Sequence, residues 1–113
     1  MTYDDVRELA RAFPGVEEGT SYGTAALKVK GKLIARLKED GETLVLKTDL
    51  FEREVLLSAA PEVFFITDHY AAYPWVLVRL AKIKPEQLRG LLANAVRGLA
   101  SAGTRTRRRR PAR

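Results

Sequence analysis

The chain has 113 residues, 20 of them basic, 14 acidic, one histidine and no cysteine. That excludes a disulfide framework and thiolate chemistry, and no apolar run reaches the roughly 20 residues needed to cross a bilayer. The whole net charge of +6 lies in residues 103–113, which carry six arginines and no acid, whereas residues 1–102 balance 14 bases with 14 acids.

The first helix is predicted from Val6, Leu9, Ala10 and Phe13, an i, i+3, i+4, i+7 stripe. Thr2 is placed to cap it, with Asp5 at the N3 position, and Pro14-Gly15 stops it. The period then changes to two. Leu27 and Val29 alternate with Lys28 and Lys30, Gly31-Lys32 forms a short turn, and Leu33, Ala35 and Leu37 oppose Ile34, Arg36 and Lys38. An Asp-Gly turn at Asp40-Gly41 leads to a third strand over Thr43 to Lys47. A second helix starts at Asp49, with Glu52 three residues on, and ends at Pro61. Two further strands, Val63 to Thr67 and Trp75 to Ala81, are joined by a loop rich in aromatics. The last helix begins at Pro85 and stacks Leu88, Leu91, Leu92, Ala95, Val96 and Leu99 on one face.

The expected fold is therefore α+β: a two-layer, five-stranded antiparallel sheet with helices on one face, in the order α-β-β-β-α-β-β-α. Residues 1–102 form one domain, and residues 103–113 form a disordered arginine-rich tail. The N-terminus lacks the basic and apolar regions of a signal peptide, so the expected location is the cytoplasm.

Several stretches resemble a known family. They are Pro14-Gly15-Val16-Glu17-Glu18-Gly19-Thr20-Ser21-Tyr22-Gly23, Leu27-Lys28-Val29-Lys30-Gly31-Lys32, Asp68-His69-Tyr70, and Tyr73-Pro74-Trp75-Val76-Leu77-Val78-Arg79-Leu80. In this order they are similar to the MmcQ/YjbR family over about residues 3–100. The resemblance implies a small bacterial protein with the element order above, a fold like those of CyaY and the type III secretion chaperones, and a provisional DNA-binding role. Ala72 departs from the glycine that relatives tend to place before Tyr-Pro, and the tail lies outside the family core.

Two surfaces are candidate sites. Lys28, Lys30, Arg36, Lys47 and Arg79 alternate away from apolar neighbours, so an aligned register would lay a basic stripe across the uncovered sheet face. Arg105, Arg107, Arg108, Arg109, Arg110 and Arg113 would add phosphate contacts. Tyr22, His69, Tyr70, Tyr73 and Trp75 form a second set, suited to stacking bases or gripping a peptide. The first functional reading is a non-sequence-specific nucleic-acid binder. The second is a protein- or peptide-binding adaptor, with homodimerisation open and the tail incidental. The third is a small-molecule enzyme or sensor using His69. No cofactor, metal site, membrane partner or catalytic residue is expected: one histidine without cysteine leaves too few ligands, and Gly19-Thr20-Ser21-Tyr22-Gly23 leads into a strand rather than a phosphate-binding helix.

Overall fold

Five antiparallel pairings order the sheet. The computed structural model describes the backbone of residues 1–109 and the side chains of residues 1–99. The elements are α1 (Tyr3–Ala10), β1 (Val16–Ser21), β2 (Thr24–Val29), β3 (Lys32–Leu37), β4 (Thr43–Lys47), α2 (Leu50–Ala59), β5 (Phe64–Phe65), α3 (Asp68–Ala71), β6 (Trp75–Arg79) and α4 (Pro85–Arg109). The sheet has six strands in the order β1-β2-β3-β4-β6-β5, not the expected five. The side chains of the tail expected over 103–113, with Arg105, Arg107, Arg108, Arg109, Arg110 and Arg113, lie outside the described residues, and the backbone of 103–109 continues α4.

The extra strand is β1. Its sequence, Val-Glu-Glu-Gly-Thr-Ser, has one apolar residue and no alternation, so no period marks it. An edge strand needs only its neighbour's hydrogen bonds, and charged side chains there block further pairing. Glu18 also ties β1 to the helical layer: its carboxylate lies 3.6 Å from Arg7 and 3.9 Å from Arg11. The second unexpected element is α3, a single turn in the aromatic-rich connection.

Helix starts follow the capping residues. Thr2 Oγ1 accepts from the Asp5 amide, and the Asp5 carboxylate accepts from the Thr2 amide. Asp49 accepts from the Glu52 amide at 2.6 Å, opening α2. Helix α1 stops at Ala10, earlier than the stripe suggests, and Phe13 reaches the core from the following turn.

The core lies between the sheet and α1, α2 and α4. Leu27, Ile34, Leu44, Leu46, Val76, Val78 and Phe64 meet Val6, Ala10, Leu88, Leu92 and Ala95 there. Each such large side chain, fully buried, contributes about 1.5–3 kcal/mol.

A bulge between Leu27 and Lys28 alters the expected alternation. It lets Ile34 and Ala35 both join the core while Leu33 and Arg36 line the opposite face. Ile34, expected beside Arg36 on the outer side, is thus fully buried. Lys30 is not a strand residue: it takes φ 52° in the two-residue Lys30-Gly31 turn, one position ahead of the expected turn.

Candidate functional site

The open face of the sheet holds a cleft of about 510 Å³. Leu33 of β3, Val45 of β4 and Trp75 of β6 line it from the sheet. His69, Tyr70 and Tyr73 come from α3 and the connection after it, and Tyr22 comes from the tip of the β1–β2 hairpin. Arg36 and Glu39 complete the lining. The expected aromatic set, Tyr22, His69, Tyr70, Tyr73 and Trp75, is thus brought together around one cavity.

The register sets four of the five expected cations, Lys28, Arg36, Lys47 and Arg79, on this open face, but its two arginines are engaged by partners within the chain. Arg36 is buried, and its guanidinium donates to Thr24 Oγ1 at 2.8 Å, to the Leu37 carbonyl at 3.3 Å and to the Tyr70 hydroxyl at 3.3 Å. Glu39 lies 3.5 Å from the same group. Burial works against the cation, but the Tyr70 hydrogen bond and the Glu39 charge outweigh it and hold its pKa above the usual arginine value. Arg79 lies over the Phe65 ring at 4.2 Å and donates to the carbonyls of Pro61 and Glu62. Lys28 sits beside Leu33 in register, with Glu17 opposite on its other side. Lys47 pairs with Trp75 across β4–β6, its ammonium 5.6 Å from the indole centroid. Lys38, which follows β3, holds its ammonium 5.8 Å from the Tyr70 centroid. Of these five cations, Arg36 and Arg79 are engaged by partners within the chain, Lys30 sits in a turn, and Lys28 and Lys47 remain on the open face, where Lys38 joins them.

Arg53 was the residue that periodicity concealed. It lies on α2, only 8% exposed, and faces the aromatic connection. Its Nη1 donates to the carbonyls of Tyr70, Tyr73 and Trp75 at 3.3, 2.8 and 3.2 Å, and its Nη2 donates to that of Ala71 at 2.9 Å. One guanidinium therefore gathers the segment that supplies three walls of the cleft. The available signal was spacing: Arg53 shares a helical face with Leu56 and Leu57, where a charge needs a buried partner. Glu52 secures the same helix, accepting from Thr48 Oγ1 at 2.7 Å and from Asn94 of α4 at 2.8 Å.

Tyr22 is held in a left-handed conformation, φ 53°, ahead of Gly23 at φ 82°. It is 85% exposed, with its ring centroid 5.3 Å from the Arg36 guanidinium. A bulky residue at positive φ is a genuine outlier that the surroundings must stabilise. His69 packs edge-on against Tyr70, their ring centroids 4.7 Å apart. No group of three histidine, aspartate or glutamate side chains among the described residues is placed to hold a metal ion.

The fold and cleft define a class: an α+β domain with an antiparallel sheet, its longer helices α1, α2 and α4 on one side and an aromatic cleft on the other. The chain belongs to the YjbR family, whose model matches residues 11–97. It is similar to the crystal structure of Deinococcus radiodurans protein DR2400, which carries a DUF419 domain. That likeness has a TM-score of 0.71 at 28% identity, covering 84% of this chain and 75% of the other. Comparison with curated proteins finds no match. No helix among the described residues is long and apolar enough to cross a membrane.

Proposed function

We propose that the chain is a cytoplasmic binding module for nucleic acid, not an enzyme, that engages its ligand without sequence preference. The observation that carries this reading is the aromatic cleft on the open sheet face, with the Lys38 and Lys47 ammoniums beside two of its rings. Aromatic faces stack any base, and flanking lysines meet the phosphates. The arginine-rich tail adds sequence-independent attraction by counterion release. The test is fluorescence anisotropy of labelled DNA and RNA with the full chain across a salt series. Binding that weakens linearly on a logarithmic salt axis, and weakens further in Lys38→Ala/Lys47→Ala, is the expected result. Absence of binding at low salt would remove the reading.

The adaptor reading draws support from a different surface. Leu50, Phe51 and Val55 of α2 are 51, 80 and 50% exposed, which is unusual for large apolar side chains on one helix. A protein partner or second copy there would be lost in Phe51→Glu, read by sedimentation and by co-purification after nuclease treatment.

A further inference from the structure

We propose that the cleft receives one unpaired nucleobase, which makes the preferred ligand single-stranded; this rests on the nucleic-acid reading above and narrows it. The first reason is shape. A concavity of about 510 Å³ is of the size that small ligands occupy and admits a single planar group with its sugar. A base inside a duplex has both faces stacked and cannot enter without being flipped out.

The second reason is the state of the rings. Among the described residues, the aromatic contact formed is His69 with Tyr70. Tyr22, Tyr73 and Trp75 line the cavity without stacking on one another, and Tyr22 and Tyr73 are 85 and 56% exposed. Arg36 stands over one face of Tyr22 and Lys47 over one face of Trp75, which leaves their opposite faces and the Tyr73 ring to a planar guest.

The third reason is the distribution of charge. Inside the cleft, Arg36 is neutralised by Glu39 and occupied by Thr24, Leu37 and Tyr70. An anionic group buried there would find no unpaired cation and would meet a carboxylate, so the guest's inner part is neutral. Lys38 and Lys47, which have no carboxylate partner among the described residues, stand beside the rings of Tyr70 and Trp75 instead. Neutral and planar inside, anionic outside, is the profile of a base carried on a phosphate backbone. Finally, Tyr22 keeps a left-handed backbone that a smaller residue would adopt at lower cost, and this holds its ring at the cavity.

Trp75 is the single tryptophan and so reports on the cleft directly. The full chain is titrated with oligothymidylate and with a mixed-sequence duplex of equal length, following Trp75 fluorescence. The expected result is quenching by the single strand and affinity about tenfold or more above that for the duplex. Tyr22→Ala, at an exposed position, should cut single-strand affinity about tenfold and leave duplex affinity unchanged; Tyr73→Ala should repeat the pattern. Equal or tighter duplex binding, or a Tyr22→Ala protein that binds single strands as before, would overturn the unpaired-base assignment while leaving nucleic-acid binding intact. Failure of both polynucleotides to bind would instead remove the reading beneath it.

Discussion

Arg53 shows how one buried cation can shape a site it does not line. Its four carbonyl partners belong to Tyr70, Ala71, Tyr73 and Trp75, and no carboxylate is paired with it among the described residues. Replacing it with methionine keeps much of the volume but leaves those carbonyls without their donor. Arg53→Met should cost about 2–3 kcal/mol in denaturant unfolding. Arg53→Lys should recover only part, because an ammonium lacks the planar fork that reaches both sides of the turn. Either variant should also shift the Trp75 emission maximum. Tyr3 is a second buried group whose behaviour can be stated. Burial first, then the Glu18 charge, pushes its hydroxyl up to about 12 from 10.0, and that hydroxyl has no hydrogen-bond partner. The folded chain therefore holds this proton at a pH where the unfolded chain has released it. Stability should be level below pH 10 and fall as pH rises from 10 towards 12. Tyr3→Phe should remove that alkaline fall, as followed by denaturant midpoints across the range. Residues of this kind resist reading from sequence. Arg53 is held by backbone carbonyls 17 to 22 positions away, and Arg36 adds Thr24 and Tyr70, 12 and 34 positions away, to its near neighbours Leu37 and Glu39, so alternation alone treats both as solvated.

Among the elements, the β1–β2 hairpin joins local chemistry to the site. Its two-residue turn places Tyr22 and Gly23 at positive φ, where glycine and asparagine are the favoured residues. Tyr22→Asn should therefore raise stability by about 1 kcal/mol, measured by thermal or denaturant unfolding, while weakening oligothymidylate binding. A variant that lost stability would show that the tyrosine ring itself holds the hairpin together. The three long helices and the strands β2, β3, β4 and β6 were legible because each has a clear period or cap: the Thr2–Asp5 pair, Asp49, Pro85, and alternating Leu and Val. The strand β1 was not, since Glu17, Glu18 and Gly19 have neither apolar alternation nor β propensity, Thr20 alone is too little signal, and pairing with β2 makes the strand. The turn α3 was hidden for a related reason. Four residues carry too little periodicity to register, and the Arg53 hydrogen bonds that hold it are contributed from another element. The aromatic members of the cleft could be named from sequence, but their arrangement around a cavity depended on both missing elements.

For the molecule as a whole, the question is how attraction divides between body and tail. Residues 1–102 are charge-balanced, and the folded face offers Lys28, Lys38 and Lys47 once Arg36 and Arg79 are committed to internal partners. Three lysine–phosphate contacts on a single strand correspond to a slope of about −2 in log K against log salt, and six tail arginines would add about −4. Substituting Arg105, Arg107, Arg108, Arg109, Arg110 and Arg113 with glutamine leaves residues 1–102 unchanged and puts a good helix former in the last turns of α4. That variant should show a slope near −2 with weaker binding at low salt, measured by the same anisotropy titrations. Its preference for single strands should be retained, because selectivity resides in the cleft, whereas the tail's attraction to polyanions is indifferent to strand number. If the slope stayed near its full-length value, the phosphate contacts would lie on the folded body, and the tail would be a bystander. If single-strand preference vanished along with the arginines, the cleft would lose its role in selection.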